Sequence, residues 1–194
     1  MKTIDYYNQY ADQFVSSTFH LCMEELYQQF ITHLPDCANI LDLGCGSGRD
    51  SLAFKKLGYQ VEAIDYSEEL VTKARVLTGV NVRQQSFYEL DEQDKYDGIW
   101  ACASLLHCDR QYLPDVMLKV FNALKANGIL YMSFKYGDSD REKDGRLFTD
   151  LNEVQAQSLL NQLEGFQLLK QWITADQRQD REEKWLNLLW KKNV

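Results

Sequence analysis

The feature that most constrains this chain is a run of glycines that follows an apolar, β-rich segment. Residues 40–50 read ILDLGCGSGRD, so Gly44, Gly46 and Gly48 lie between a predicted strand and a predicted helix. Such glycines let the backbone approach a ligand where a Cβ would collide, and the helix aims its first amides at an anionic group. The dinucleotide-binding turn G-x-G-x-x-G requires its third glycine where Arg49 stands. A nicotinamide-dependent oxidoreductase is therefore the weaker alternative.

Short apolar segments alternate with helical patterns along most of the chain. Five strands are predicted, at residues 39–43, 60–64, 80–83, 97–102 and 128–133. Gly58 and Asn127-Gly128 end predicted helices, and Ser67 begins one as its N-cap. This alternation is typical of a parallel sheet covered on both faces, and right-handed crossovers make it doubly wound. The predicted fold class is α/β, with a doubly wound, Rossmann-like sheet.

The two ends of the chain depart from this alternation. Residues 166–173 and 184–190 are predicted strands without a helix between them, so we expect an antiparallel C-terminal hairpin. Residues 1–35 are predicted as additional N-terminal helices, rich in aromatic side chains, that act as a lid. No repeat or linker interrupts the chain, so a single domain is expected over residues 1–194, with its core at residues 36–194.

Two acidic residues lie in register with the glycine turn. Asp42 lies inside the end of the first strand, where a buried carboxylate needs a partner such as an ammonium group or the amides of the turn. Asp65 ends the second strand roughly twenty residues further on, where an acid accepts hydrogen bonds from ribose hydroxyls. Together they indicate a site for a nucleoside that carries a positive amine and no phosphate. The alternative is a purely structural turn with an N-capping aspartate.

At LDLGCGSGRD and at Asp65-Tyr66-Ser67 the chain resembles the class I S-adenosylmethionine-dependent methyltransferases. The resemblance extends from the first strand to the final hairpin and is strongest to bacterial small-molecule enzymes, including the tellurite-resistance type. It implies a seven-stranded sheet with five parallel strands, in an order such as 3-2-1-4-5, closed by an antiparallel pair. It also implies binding of S-adenosylmethionine, and release of S-adenosylhomocysteine, by Tyr7, Asp42, Gly44, Cys45, Gly46, Arg49, Asp65, Tyr66, Ser86, Phe87, Ala101 and Ala103.

The resemblance also implies a role for each segment of that set. The glycine turn would pack against the methionine part of the cofactor, with Arg49 near its carboxylate. Asp65 would hold the ribose and Tyr66 would lie along the adenine, whose edge would face Ser86, a position where many relatives have aspartate. The loop at residues 101–107, after the fourth strand, would flank the methyl group.

Methyl transfer from a sulfonium is an in-line displacement that does not inherently need a metal, and none is expected here. The sulfonium favours aromatic surroundings, and Tyr7 with Phe14 matches a pattern found before the core of many relatives. We expect their helices to cover the site, although an aromatic stripe that merely packs a surface helix is as reasonable. His107 is the candidate general base, against the alternative that it only lines the pocket.

The side of the site that receives the acceptor is less defined by the sequence. Lys135 and Tyr136 follow the fifth strand, and Arg181 and Trp185 belong to the terminal hairpin, so these residues are predicted to line the substrate pocket. A mixed basic and aromatic rim would select an anionic or aromatic acceptor. Ordinary solvated charges are the alternative, given the dense charged run between Asp176 and Lys184.

Charge and cysteine content limit the partners. The chain has 21 basic and 29 acidic residues, a formal net charge of −8, which makes nucleic acid an unlikely partner. Five cysteines without a C-x-x-C pair and three scattered histidines suggest neither disulfides nor a metal site. The opening residues lack an uninterrupted apolar stretch, and no segment is long enough to cross a bilayer, so we expect a cytoplasmic protein without membrane contact.

The function predicted from these observations is methyl transfer to a small-molecule acceptor, by a monomer or weak homodimer. Two alternatives use the same cofactor. One is a methyltransferase acting on tRNA or another RNA, which the net charge disfavours. The other is a non-catalytic module that binds S-adenosylmethionine as a sensor or partner subunit.

Overall fold

The computed structural model describes residues 2–178 and 181–193, which form an α/β structure around one mixed sheet. The strands are β1 (Asn39–Leu43), β2 (Gln60–Asp65), β3 (Asn81–Gln84), β4 (Tyr96–Ala101), β5 (Leu124–Lys135), β6 (Asp140–Lys143), β7 (Arg146–Thr149), β8 (Phe166–Ala175) and β9 (Lys184–Lys192). The helices are α1 (Thr3–Gln9), α2 (Ala11–Thr18), α3 (Glu24–Ile31), α4 (Arg49–Lys56), α5 (Glu68–Thr78), α6 (Leu113–Ala123) and α7 (Glu153–Asn161).

The main sheet has seven strands in the order β3-β2-β1-β4-β5-β9-β8. Strands β1 to β5 are parallel, β9 is antiparallel to β5, and β8 is antiparallel to β9. The predicted topology is therefore confirmed, including the C-terminal hairpin. The chain leaves β1 toward one edge and returns to β4 on its other side, and ligands of open α/β sheets bind outside the carboxyl ends of the strands at such a reversal.

The helix boundaries follow local chemistry. Gly48 adopts φ 80° as the residue before α4, and Gly79 adopts φ 60° after α5, both in the left-handed region that glycine tolerates. The Ser67 hydroxyl accepts a hydrogen bond from the Leu70 amide and so caps α5 as predicted. The Asn152 side chain caps α7 in the same way, through the amide of Gln155.

One prediction about the middle of the chain was wrong. The helix expected to end at Asn127-Gly128 ends at Ala123, because β5 begins at Leu124 opposite Tyr96. The pairing then shifts register before Gly98 meets Ile129, and Asn127 takes φ 63° in the irregular stretch. The segment after β5 forms the hairpin β6–β7.

The N-terminal helices are present, and α3 is joined to the sheet by a cluster of aromatic rings. Phe30 and Tyr27 of α3 contact Phe54 of α4 and Trp100 of β4, with ring centroids 5.0–5.7 Å apart. Trp100 in turn stacks on Tyr131 at 3.9 Å. Each fully buried aromatic side chain contributes about 1.5–3 kcal/mol, so α3 is an integral part of the core.

Two further expectations from the sequence concern disulfides and membrane-spanning helices. All five cysteines are free, with Cys45 and Cys108 buried. Within residues 2–178 and 181–193, the structure contains no helix long and apolar enough to traverse a bilayer. The charged stretch predicted between β8 and β9 includes Gln179 and Asp180, which lie outside the described residues.

Candidate active site

The glycine turn after β1 is held tightly against the neighbouring loops. The amides of Gly44 and Cys45 both donate to the carbonyl of Ile64, each at 2.9 Å. Gly44 has φ 79°, and a Cβ there would collide with the Cβ of Ser104 in the loop after β4. Gly46 has φ 53°, and a Cβ there would lie 2.8 Å from a ring carbon of Phe14. The glycines thus allow both the β4 loop and α2 to approach the turn.

Asp65, at the end of β2, fixes the shape of this turn. One carboxylate oxygen accepts the Gly46 amide and the other accepts the Ser67 amide, both at 2.8 Å. Burial raises the pKa of Asp65 above its usual value, and the hydrogen bonds from these backbone amides offset only part of that rise. Each oxygen keeps a further lone pair, so Asp65 can accept another hydrogen bond.

Asp42 has a different partner from the one expected. The carboxylate is 2 % exposed and accepts the Ser51 hydroxyl at 2.5 Å. Burial, together with the nearby Asp50, raises the pKa of Asp42 to about 8. The Ser51 hydroxyl, in the first turn of α4, already pairs with this carboxylate. Neither an ammonium group nor the amides of the glycine turn is therefore needed as its partner. Asp42 therefore belongs to the support behind the turn.

Arg49 is held at the start of α4 by a buried carboxylate that sequence analysis missed. Asp50 accepts two hydrogen bonds from the Arg49 guanidinium, at 2.6 and 2.9 Å. It also accepts the Tyr27 hydroxyl at 2.6 Å and the Trp100 indole N–H at 2.8 Å. Burial acts to raise the pKa of Asp50, but the Arg49 guanidinium and these donors hold it below its usual value. The ion pair orients Arg49 in the wall of the adjacent cavity.

A cavity of about 860 Å³ opens beside the glycine turn. Its wall is formed by the glycine turn, α1 and α2, the loop after β4, the β6–β7 hairpin and the residues around the turn of the β8–β9 hairpin. The volume lies within the range of about 300–1,000 Å³ that is usual for small-molecule sites. We call the part of the wall at the glycine turn and Arg49 the inner end, and the part at Lys135, Arg146 and Trp185 the outer end.

Helices α1 and α2 cover the carboxyl end of the sheet. The Asn8 side-chain oxygen accepts the Ser67 hydroxyl at 2.7 Å, and Asp12 pairs with Lys73 of α5. On the opposite side, the Thr3 hydroxyl oxygen accepts the Leu147 amide of β7 at 3.1 Å. These contacts connect α1 and α2 to both sides of the cavity, as the lid prediction requires.

Tyr7 and His107 meet across the cavity wall. The Nδ1 of His107 lies 2.6 Å from the carbonyl oxygen of Leu147, which can only accept, so Nδ1 carries the proton. The Nε2 atom then accepts the Tyr7 hydroxyl at 2.8 Å. Burial lowers the pKa of His107 to about 4 and raises the pKa of Tyr7 to about 12. Both side chains are therefore neutral at pH 7, with the proton of their shared hydrogen bond on Tyr7.

The sequence from β1 to the start of β5 matches known proteins. Residues 40–128, which include the glycine turn, Asp65 and the loop after β4, match the family model described as a methyltransferase domain. These residues form a methyltransferase domain of the class I S-adenosylmethionine-dependent type. The family expected from LDLGCGSGRD and Asp65-Tyr66-Ser67 is thus confirmed.

Curated relatives and a solved structure extend this similarity. A ubiquinone biosynthesis O-methyltransferase of Xanthomonas campestris is 34% identical over 106 residues, 50% of this chain and 42% of that protein. The "Probable S-adenosyl-L-methionine-dependent methyltransferase TehB" of Haemophilus influenzae is 29% identical over 83 residues, 40% of this chain and 29% of that protein. The chain spans about half the length of the first curated relatives it matches.

In fold, the chain is similar to the 1,6-didemethyltoxoflavin-N1-methyltransferase of Burkholderia thailandensis, with a TM-score of 0.79. The two are 21% identical, and the match covers 98% of this chain and 85% of the other. This likeness confirms a Rossmann-like methyltransferase fold over nearly the whole chain.

The cavity brings together most of the site residues predicted from the sequence. Those in its wall are Tyr7, Gly44, Cys45, Gly46, Arg49, Ala103, His107, Lys135, Arg181 and Trp185. The described wall does not include Asp42, Asp65, Tyr66, Ser86, Phe87, Ala101 or Tyr136.

Local geometry explains these differences. Ala101 is fully buried at the end of β4, and the Ser86 hydroxyl accepts the Tyr88 amide to cap a short 3-10 turn. Tyr66 is 54% exposed, outside the cavity. Tyr136, which was predicted to line the substrate pocket, lies outside the described wall: side chains alternate along a strand, so Lys135 lines the cavity while the Tyr136 hydroxyl donates to Glu153 at 2.9 Å.

Proposed function

We propose that the chain is a methyltransferase that transfers the methyl group of S-adenosylmethionine to a small-molecule acceptor. The observation that carries the proposal is one cavity whose wall combines the glycine turn and Arg49 with further basic and aromatic side chains, among them Lys135 and Trp185. A two-substrate transfer needs one space that admits both reactants.

The residues at the inner end fit the amino-acid part of the cofactor. Arg49 offers a cationic donor for a carboxylate, and its orientation is fixed by Asp50 before any ligand binds. The rings of Tyr7 and Phe14, 5.3 Å apart and perpendicular, supply aromatic surface for a sulfonium. Asp65 keeps acceptor capacity for ribose hydroxyls beneath the turn.

The bound cofactor would supply a methyl group activated by a positive sulfur. The protein contributes alignment, because holding two reactants in line replaces a bimolecular encounter by a step within one complex. Helices α1 and α2 and the β6–β7 hairpin line the cavity beside the glycine turn, where they would shield a bound cofactor from water. No residue needs to form a covalent bond with the acceptor.

His107 is better suited to positioning the Tyr7 hydroxyl than to acting as a general base. Its pKa of about 4 makes it a weak base at pH 7, and Nε2 is already engaged by Tyr7. We propose that His107 orients the Tyr7 hydroxyl, whose oxygen can accept a hydrogen bond from an acceptor. A proton that leaves the acceptor would then be taken by solvent or by the acceptor's own basic group.

The proposal is tested by thermal stability and by turnover. Saturation with S-adenosylmethionine or S-adenosylhomocysteine at a hundredfold over the dissociation constant should stabilise the folded protein by about 2.7 kcal/mol, whereas NAD should not. The Arg49→Gln variant should bind roughly tenfold more weakly. Formation of S-adenosylhomocysteine is then measured with a panel of phenols, amines, thiols, metalloid oxyanions and tRNA.

Each alternative has its own outcome. Stabilisation by NAD alone would indicate an oxidoreductase, and turnover with tRNA alone would indicate an RNA methyltransferase. Tight cofactor binding without turnover on any acceptor would favour the non-catalytic module.

A further inference from the structure

The cavity wall concentrates positive charge in a chain that is negative overall. Its described residues include six Lys and Arg but only two acidic ones, whereas the whole chain carries a net charge of −8. The basic residues are Arg49, Lys135, Lys143, Arg146, Arg178 and Arg181. The acidic ones are Asp50 and Asp176, and each already pairs with its own arginine, Arg49 and Arg178.

Arg146 combines a contact with Tyr7, whose pKa its charge and hydrogen bond lower, with an incompletely paired guanidinium. Its side chain is 13% exposed, and its Nε is buried without a hydrogen-bond partner among the described residues. Its terminal nitrogen meets Asp144 at 3.2 Å, but Asp144 is 59% exposed and belongs to the turn of the same hairpin. Because Arg146 lines the cavity, an anion bound there would complete the pairing of its charge.

Aromatic rings and a second buried cation surround this donor. The Arg146 guanidinium carbon lies 3.9 Å from the ring centroid of Tyr6 and 5.2 Å from that of Phe148. The Lys135 Nζ lies 4.8 Å from the same Phe148 ring and forms an ion pair with Glu183. Glu183 is shared with Arg141 and Arg181, at 3.9 and 3.8 Å, so one carboxylate faces three cations.

This arrangement is next to the loop expected to flank the transferred methyl group. The Phe148 ring lies 4.9 Å from the His107 ring, and the Arg146 charge is near enough to Tyr7 to act against the rise in its pKa that burial causes. An anion bound by Arg146 would therefore sit at the acceptor side of the Tyr7–His107 pair.

We propose that Arg146, assisted by Lys135, binds a carboxylate on the methyl acceptor, which is thus an organic acid. The inference rests on the proposed methyltransferase function and assigns the substrate class. The guanidinium offers its positive charge at the cavity wall to the carboxylate, and the rings of Tyr6 and Phe148 pack against the organic body of the acceptor. The other explanation for Arg146 is that it only braces α1 against the hairpin.

The experiment compares charged and neutral probes of equal shape. Benzoate and benzamide, acetate and acetamide, and sulfate are titrated at fixed ionic strength, with and without saturating S-adenosylhomocysteine. Heteronuclear NMR follows the Arg146 Nε–H signal, which is identified by its absence in the Arg146→Gln variant. Arg146→Lys keeps the charge without Nε. Arg110→Gln is the matched control, since Arg110 pairs with Asp140 outside the described cavity wall.

The expected result is that benzoate binds at least roughly tenfold more tightly than benzamide to the wild-type protein and to Arg110→Gln. In Arg146→Gln, where probe binding is followed through other cavity amides, this preference should fall below about threefold, with Arg146→Lys between the two.

Three other outcomes are distinguishable. Equal binding of acid and amide to the wild type, with normal cofactor binding, would mean that Arg146 only holds α1 against the hairpin. The methyltransferase proposal would not be affected. Binding of sulfate without benzoate would replace the organic acid by an inorganic oxyanion. Failure of S-adenosylhomocysteine to bind would reject the proposed function, while the titration without cofactor would still decide whether the anion site exists.

Discussion

The two ends of the cavity differ in how completely the protein pairs its own charged groups. At the inner end, Asp50 accepts four hydrogen bonds, from Arg49, Tyr27 and Trp100, and Asp65 accepts two backbone amides. At the outer end, Arg146 keeps a buried donor without a partner among the described residues. The inner end is therefore organised by the fold itself, whereas the outer end is completed, as we infer, by the acceptor.

The largest expected effect comes from removing the inner carboxylate. Asp50→Ala would leave the Arg49 guanidinium buried without its partner and also strand the Tyr27 and Trp100 donors. Breaking a buried ion pair in this way costs about 3–5 kcal/mol of folding free energy. Asp144→Ala, at an exposed carboxylate of the outer end, should lose only about 1–2 kcal/mol, because alanine tolerates the left-handed backbone at φ 54° less well than aspartate.

Urea denaturation of both variants gives the free energy of unfolding. If Asp50→Ala loses no more stability than Asp144→Ala, the two ends are equally organised and the comparison fails.

A second, smaller effect is expected at the glycine turn. Gly44→Ala would place a side chain in the left-handed region, which costs about 1–2 kcal/mol, and would also force Ser104 aside. We expect a total loss of about 3 kcal/mol in the free energy of unfolding. The matched control is Gly58→Ala, where φ is 93° but no atom lies within 4 Å of the added Cβ.

The Gly58 variant should lose only the conformational part, about 1–2 kcal/mol. The double variant Gly44→Ala/Ser104→Gly should recover the steric part. Equal losses in the two single variants would mean that the β4 loop does not press on the turn.

The sequence predicts the inner end well because its determinants are local. The glycines at Gly44 and Gly46 and the acid at Asp65 follow strands whose order is set by alternating strands and helices, and all lie where the motif spacing puts them. The partners of Asp50 were missed because Tyr27 and Trp100 are distant in sequence and meet only in the folded core. Asp42 was assigned a ligand for the same reason: its burial was foreseen, but its contact with Ser51 was not.

The outer end was harder to predict because it depends on an insert. The hairpin β6–β7 places Arg146 and Phe148 in the wall, yet both strands are only four residues long and every residue of β6 is charged. One available signal was Asp144-Gly145, a pair that suits a two-residue hairpin turn with both residues at positive φ. Both do adopt positive φ, 54° and 73°. Lys135 and Tyr136 were assigned together, although strand alternation allows only one of them to face the cavity.

The smallest expected effect concerns His107, which contacts Tyr7 at the boundary between the two ends. Because burial lowers the pKa of His107 to about 4 from about 6.5, the native state favours the neutral ring. The resulting stabilisation is complete above pH 6.5 and is lost as the pH falls toward 4. We expect the free energy of unfolding to drop by about 2 kcal/mol more between pH 7 and pH 5 in the wild type than in His107→Gln.

Glutamine is the matched replacement because its amide can donate to the Leu147 carbonyl and accept from the Tyr7 hydroxyl, as the ring does now. If His107 only positions Tyr7, His107→Gln should keep kcat within roughly tenfold of the wild type, whereas loss of a general base costs about 10²–10⁴-fold. The pH profile of kcat should then show the same inflections in the wild type and in His107→Gln. A loss in the larger range, together with such an inflection, would restore His107 as the base and would make Tyr7 its proton donor rather than a contact of the acceptor.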